Sequence, residues 1–314
     1  MKSFRMINFI QKLTALGERQ FKKETEAAHF IMLVLRERSI PFAIEKFATK
    51  IPEFLHASLI VDGRPIDAEP CCFVSGFINS KNNLISSLIS SARFIDDSNI
   101  NFNPSCRAIS RSNHYFAPAL AIAAKDIPRF SIADEIKGVV KVKPVNHQSL
   151  HILAGNRHNP KILFFAHYDS IGPGALDNAS GVAVLLNLLT EKRDILKNSL
   201  CVFDGNEELS YDYPLYWGHG YRIFENRHLN LFQQAKAIYV VDCVGNDPVI
   251  IENNSATSKL SFPIKNLDKL GKKIFSVSGN IPKLMDVYHS SLDTSEKIFS
   301  KYLADAVSKL RRIG

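Results

Sequence analysis

The sequence predicts an α/β protein in three layers, a mostly parallel (mixed) central sheet with helices on both faces, and three observations carry that prediction. Short apolar runs rich in branched and aromatic residues recur at Ile162–Ala166, Leu200–Phe203 and Ala237–Val241, as suits strands buried on both faces. Between them lie stretches with apolar residues at helical spacing, such as Val182, Leu185, Leu186 and Leu189. Strands alternating with helices build parallel sheets covered on both sides. Each run also hands over, at its carboxyl end, to His or acidic residues, and open α/β sheets bind their ligands there.

Length and composition fit this class. A chain of 314 residues suits one large α/β domain or a core with an insert. Hydrophobic residues at 46% and charged residues at 22% are ordinary for a globular protein, with no repeat or low-complexity tract, so disorder is not expected. The net charge of +8 invites a nucleic-acid reading, but Lys and Arg are scattered without a recurring basic motif, which speaks against it. The cysteines, Cys71, Cys72, Cys106, Cys201 and Cys243, are odd in number and fit reduced thiols better than a disulfide framework. The N-terminal stretch has no uninterrupted apolar segment or small-residue cleavage site, and no run reaches membrane-spanning length. A cytoplasmic protein with neither nucleic acid nor membrane as partner is the expectation.

In chain order, 4–17 and 22–38 read as amphipathic helices, Pro41 ends the second, and Phe42–Phe47 alternates as a strand. ASLIVDGRPIDAEP and CCFVSGFI read as strands around a turn at Asp62 and Gly63, and LISSLISSARFI as a helix. INFNP, YFAPALAIA and DIPRF form a second αβ set. Gly138–Val142 starts a strand, a break is expected near Pro144, and SLHILAG is a second run. The organisation is a catalytic core of about 1–51 and 138–314 with an inserted α/β subdomain at 52–137. Helix 180–193, strands Val249–Ile251 and Ile274–Val277, and a closing helix Ser295–Ile313 complete the core.

The strand ends and one further loop supply His167, Asp177, Glu208, Asp242 and His289, a nitrogen and oxygen set suited to zinc or a similar first-row metal. Singly, an Asp at a strand end usually caps a helix and a loop His is usually solvated; their recurrence on successive strand ends outweighs that. Five ligands exceed one tetrahedral zinc with an open position but suit two ions. If Asp177 bridges, His167 and Asp242 hold one ion, and Glu208 and His289 the other. Two ions about 3.5–4 Å apart can orient a carbonyl and generate hydroxide near neutral pH. Glu207 is then the general base, and Asp169 can accept the second ring N–H of His167. His29, His56, His114, His147, His151 and His158 read as packed or solvated, Cys201 and Cys243 as core, and Ser290 and Ser291 as ordering the loop around His289.

AHYDS with ALDNASGVA, then FDGNEE, YVVDCVGND and VYHSSLDT, resemble in order the co-catalytic zinc aminopeptidases, a family that includes bacterial leucyl aminopeptidases and has glutaminyl cyclase as a relative. The resemblance is strong from about Gly138 onward and generic before it. It implies a zinc-exopeptidase-like fold and a metal-dependent aminopeptidase that hydrolyses the N-terminal peptide bond of peptides with a free N-terminus. It also implies two zinc ions, replaceable by cobalt or manganese, on His167, Asp177, Glu208, Asp242 and His289. By the same resemblance Glu207 is the base, Asp169 the carboxylate that orients an imidazole, and Tyr288 matches a tyrosine that some members use to polarise the scissile carbonyl. The segment 52–137 stands where some members carry a protease-associated subdomain. The chain departs from the pattern at Leu209–Gly220, LSYDYPLYWGHG, an aromatic stretch where members have a Gly-containing turn and a short helix. Such a stretch is reminiscent of glutaminyl cyclases, whereas DNASG is the peptidase form. A one-zinc cyclase performing acyl transfer and an inactive scaffold of the same fold therefore stay open, as does assembly into a homo-oligomer.

Overall fold

The computed structural model describes residues 4–79, 83–89 and 93–313. Helices α1 (Met6–Thr14) and α2 (Lys22–Glu37) open the chain, followed by the long strand β1 (Phe42–Val61) and the short strands β2 (Arg64–Pro65), β3 (Ala68–Pro70), β4 (Gly76–Ile78), β5 (Leu84–Ser86), β6 (Asn99–Phe102) and β7 (Ala119–Ile122). Helix α3 (Ile127–Ser131) leads into β8 (Ile136–Gly155). The alternating half then runs β9 (Ile162–His167), α4 (Ser180–Glu191), α5 (Ile195–Asn198), β10 (Ser199–Asp204), α6 (His219–Gln234), β11 (Ala237–Val241), β12 (Ile250–Glu252), α7 (Ser255–Ser261), α8 (Leu267–Leu270), β13 (Ile274–Ser278), α9 (Ile281–Met285) and α10 (Ser300–Ile313).

The central sheet has the order β12-β13-β11-β9-β10-β8-β1-β2. β13, β11, β9 and β10 are mutually parallel, and antiparallel strands extend the sheet on both sides. β9 is the pivot: α4 carries the chain to β10 on one side of it, and α6 carries it back to β11 on the other. The order of the strands thus reverses at β9, and such a switch opens a crevice outside the carboxyl ends of the strands there.

Alternation along the strands sends side chains to both faces. Phe164 and Ala166 join α1, α2, α4 and α10 in one core, while Leu163 and Phe165 join Tyr221, Phe224 and Phe232 of α6, together with Phe262, in the other. Gly181 lets the start of α4 approach the sheet, because a Cβ there would stand 2.4 Å from the Val241 carbonyl oxygen. A second sheet, β3-β7-β6-β5, packs with its own apolar cluster on the outer half of the β1/β8 ribbon, through Leu59, Val61, Ile136 and Val140. Residues 52–137 hold this sheet, and their first strand is continuous with the core. Among the described residues no helix is long and apolar enough to cross a membrane.

Three sequence expectations change. No break occurs at Pro144, because β8 runs unbroken from Ile136 to Gly155 with Pro144 opposite Pro52 of β1. Two prolines facing each other fit a non-hydrogen-bonded pair, where neither owes its partner an N–H. The segment read as a helix from Leu84 begins instead as β5, paired in parallel with β6; residues 90–92 of it lie outside the described residues. The closing helix starts at Ser300 after a 3-10 turn at Ser295–Lys297.

Phe165 is fully buried, with Tyr221, Phe224, Phe232 and Phe262 around its ring at centroid distances of 4.8–5.8 Å. Phe165→Ala is expected to lower unfolding stability by about 3–5 kcal/mol, and Phe165→Leu by distinctly less, measured by denaturant titration.

Candidate metal centre

The carboxyl ends of the three adjacent strands place the acidic and imidazole groups. β9 ends on His167; the turns after β10 and β11, its two neighbours, present Glu207 with Glu208 and Asp242. Asp177 comes from the turn into α4, where the Asn178 side chain accepts the Gly181 N–H (2.9 Å) and donates to the Val241 carbonyl (2.9 Å). The loop bearing His289 is pinned from outside the sheet: Arg111 N–H donates to the His289 carbonyl (3.0 Å), and His289 Nδ1 faces the Arg111 carbonyl (3.2 Å). Asn206, Cys243 and His289 adopt left-handed backbone, with φ of 58°, 54° and 49°. Non-glycine residues rarely do so, and such positions gather at functional sites.

All five sequence-predicted ligands come together. Asp177 lies between the two imidazoles, Oδ1 at 3.0 Å from His167 Nε2 and Oδ2 at 3.1 Å from His289 Nε2. Asp242 Oδ1 is 3.5 Å from His167 Nε2, and Glu208 Oε2 is 3.0 Å from His289 Nε2. Donor atoms of His167, Asp177 and Glu208 lie within 4.8 Å of one another, as do those of Asp177, Asp242 and Cys243. Cys243 is buried, as expected of a core residue, yet its thiol sits at the edge of the centre and donates to Asp242 Oδ1 (3.2 Å).

Asp169 spans the two strand ends. Its carboxylate accepts the N–H groups of Glu207 (3.0 Å) and Glu208 (2.9 Å), and stands 3.5 Å from His167 Nδ1, outside a formed hydrogen bond. The Glu207 carboxylate makes no hydrogen bond or ion pair among the described residues. The Tyr288 ring stacks on His289 with centroids 3.7 Å apart.

The electrostatics favour positive charge at the centre. Burial pushes the Glu207 carboxyl well above its usual range; His167 opposes this, while Glu208, Asp169 and Asp242 add to it. Burial likewise lifts Glu208 to about 7, against the pull of His289. Burial disfavours a charged His289, but Glu208 and Asp177 raise it to about 10. His167 too stays well above its normal value despite burial, held by Tyr221, Asp169, Asp177 and Asp242. Asp177 is itself buried, yet its hydrogen bonds to both imidazoles hold it low. Glu208 Oε1 and His167 Nδ1 have no hydrogen-bond partner. Crowded buried carboxylates, nitrogen donors facing them and an unspent carboxylate oxygen fit a divalent metal, which supplies the charge they lack.

Sequence reasoning missed the groups that hold this arrangement. Arg19, fully buried, donates to the carbonyls of Tyr168, Pro173 and Gly174, and burial lowers its pKa to about 10. Asp293 accepts the N–H groups of Leu176 (2.8 Å) and Asp177 (3.1 Å). Asp293 lies four residues beyond His289 in the motif VYHSSLDT, a signal that was available; Arg19 left none. Ser290 receives the Leu292 N–H and donates to the Val287 carbonyl, the loop-ordering role read from the sequence. Of the histidines, His147 pairs with Glu24 (2.7 Å), His151 with Asp204 (2.8 Å), and His114 is fully buried with neither ring nitrogen bonded.

Residues 150–245 match the model of Peptidase family M28. No curated protein matches the chain. The fold is that of a zinc aminopeptidase from Bacillus subtilis (TM-score 0.67, 18% identity, 98% of this chain and 92% of that one). An aminopeptidase from Aneurinibacillus sp. strain AM-1 gives a TM-score of 0.63 at 17% identity, over 96% and 91% of the two chains. A glutaminyl cyclase from Porphyromonas gingivalis gives 0.52 at 14% identity, over 98% and 95%. The family match over this segment and the fold shared with these neighbours agree with the resemblance read from the motifs.

The placement of Asp177 leads to a measurable expectation. Asp177→Asn and His289→Ala should lose most bound zinc in elemental analysis, whereas Glu207→Gln should keep it; equal loss in all three would reverse the division between ligands and base.

Proposed function

We propose that the chain is an aminopeptidase that removes the N-terminal residue of peptides at a centre of two zinc ions. The observation that carries this reading is Asp177, whose two carboxylate oxygens each face a different imidazole, with Asp242 beside one and Glu208 beside the other. His167 and Asp242 would hold one ion, Glu208 and His289 the other, and Asp177 both. Zinc bound there supplies Lewis-acid polarisation of the scissile carbonyl and lowers the pKa of water.

The residues around the metals divide the remaining work. Glu207 carries a free carboxylate with a raised pKa, so it can take a proton from the attacking water and return it to the leaving amine. Asp169 fixes where Glu207 and Glu208 stand by binding both of their N–H groups. Tyr288, stacked on the His289 ring, would donate a hydrogen bond from its phenolic O–H to the carbonyl oxygen. Asp242 is the most exposed of the carboxylates, its side chain 21% accessible, so a peptide amine would approach the centre beside it.

Elemental analysis of protein purified without a chelating tag, beside hydrolysis of a panel of aminoacyl anilides, tests the reading. The expectation is about two zinc ions per chain and chelator-sensitive release of the anilide. Glu207→Gln should lower kcat by about 10²–10⁴-fold while retaining metal. One zinc with no hydrolysis, but with ammonia released from N-terminal glutaminyl peptides, would assign the centre to the cyclase reaction instead.

A further inference from the structure

The aromatic loop that departs from the family pattern builds a second feature beside the centre. Gly218 N–H donates to the Glu207 carbonyl, so the loop folds back onto the proposed base. Trp217, one residue before, is held by its indole N–H on the Leu260 carbonyl (2.9 Å) and forms a wall of a groove of about 540 Å³. Arg93 and Phe94, from the second sheet's segment, and residues of 259–268 also line it.

This groove is apolar and cationic together. The Arg93 guanidinium lies 5.0 Å over the Trp217 ring, and Arg93 Nε is buried without a hydrogen-bond partner. Lys259 and Lys265 also line the groove, against a single acid, Asp268. None of the three cations has an ion pair among the described residues. An indole beneath a guanidinium fixes its plane and leaves its edge donors free, the geometry that receives a carboxylate in a bidentate pair. Tyr216, next to Trp217 in the chain, is buried, and burial raises its hydroxyl to about 12, with Arg93 lowering it and Glu208 and Glu207 raising it.

We propose that this groove binds the C-terminal carboxylate of a short peptide substrate, anchored by Arg93 on Trp217, so that chain length as well as the N-terminal residue is selected. The inference rests on the aminopeptidase reading for its occupant. The peptide's amine would lie at the metal centre and its carboxylate at Arg93, each intervening residue adding at most about 3.3–3.6 Å, so the separation of the two sites sets the length that fits. A longer or amidated peptide brings no carboxylate to Arg93.

Trp217 is the only tryptophan in the chain, so its emission reports on this groove without turnover. N-acetyl-Leu-Gly-Gly cannot be trimmed from its blocked end but keeps the carboxylate. Titrated into the zinc-loaded protein, it should change Trp217 emission saturably and bind about tenfold or more tighter than its C-terminal amide, a gap of about 1.4 kcal/mol. Arg93→Gln should erase the difference, and Arg93→Lys, which keeps the charge, should retain part of it. With unblocked Leu-Gly-Gly, Arg93→Gln should raise KM to that of the amide while kcat holds. Equal binding of acid and amide, or an acid preference that survives Arg93→Gln, overturns the proposal. So does N-acetyl-Leu-Glu-Gly amide binding as tightly as the acid, which would assign the groove to an acidic side chain. A selective emission response without hydrolysis of any peptide would instead refute the aminopeptidase reading and leave the groove's carboxylate preference standing.

Discussion

The buried Asp177 carboxylate between two imidazoles is the constraint on which the site depends. Each oxygen faces one ring, and both rings face further carboxylates, so none of these groups can be removed without leaving a charge buried and unpaired. Such a cluster is costly to assemble in a protein interior unless positive charge offsets it. The raised values of His167 and His289 express that demand, and a divalent metal meets it with less proton uptake.

The sheet supplies the positions and the loops the aim. β9 lies between β10 and β11, so His167 falls between the turn bearing Glu208 and the one bearing Asp242. Strand ends alone leave the side chains free to point elsewhere. Left-handed backbone at Asn206, Cys243 and His289, the Asp169 and Asp293 carboxylates gripping backbone N–H groups, and Arg19 tying down the loop from Tyr168 to Gly174 remove that freedom. The hydrogen bonds among these go to backbone, which carries no residue signature, and those of Asp293 and Arg19 join segments more than a hundred residues apart.

The second sheet belongs to the site as much as to the scaffold. Phe73 and Phe116 from this segment pack with Tyr211, Tyr216 and Trp217 of the loop after the Glu pair, and with Ile171 beside the centre. Arg111, from the same segment, holds His289 by its backbone and is itself paired with Glu18 and Glu69. Residues with no metal-binding motif therefore pack around the candidate centre.

The sequence by itself determined the alternating strands and helices, the identity of the five clustered donors, and Glu207 beside them. Those features are local: buried parallel strands write continuous apolar runs, His167, Glu208 and Asp242 stand at or within a few residues of their ends, and Asp177 and His289 lie in short polar motifs of their own. The β1/β8 ribbon was only half legible, because Pro144 signals a break unless its partner is known to be Pro52. β5 reads as a helix from the sequence because Leu84, Ile85, Leu88 and Ile89 stand at helical spacing, and only pairing with β6 makes Leu84–Ser86 a strand. The roles of Arg19 and Asp293 and the orphaned Nε of Arg93 were decided by tertiary structure alone. Each is set by what distant backbone or ring lies against it once the sheet has formed, and no window of sequence contains both partners.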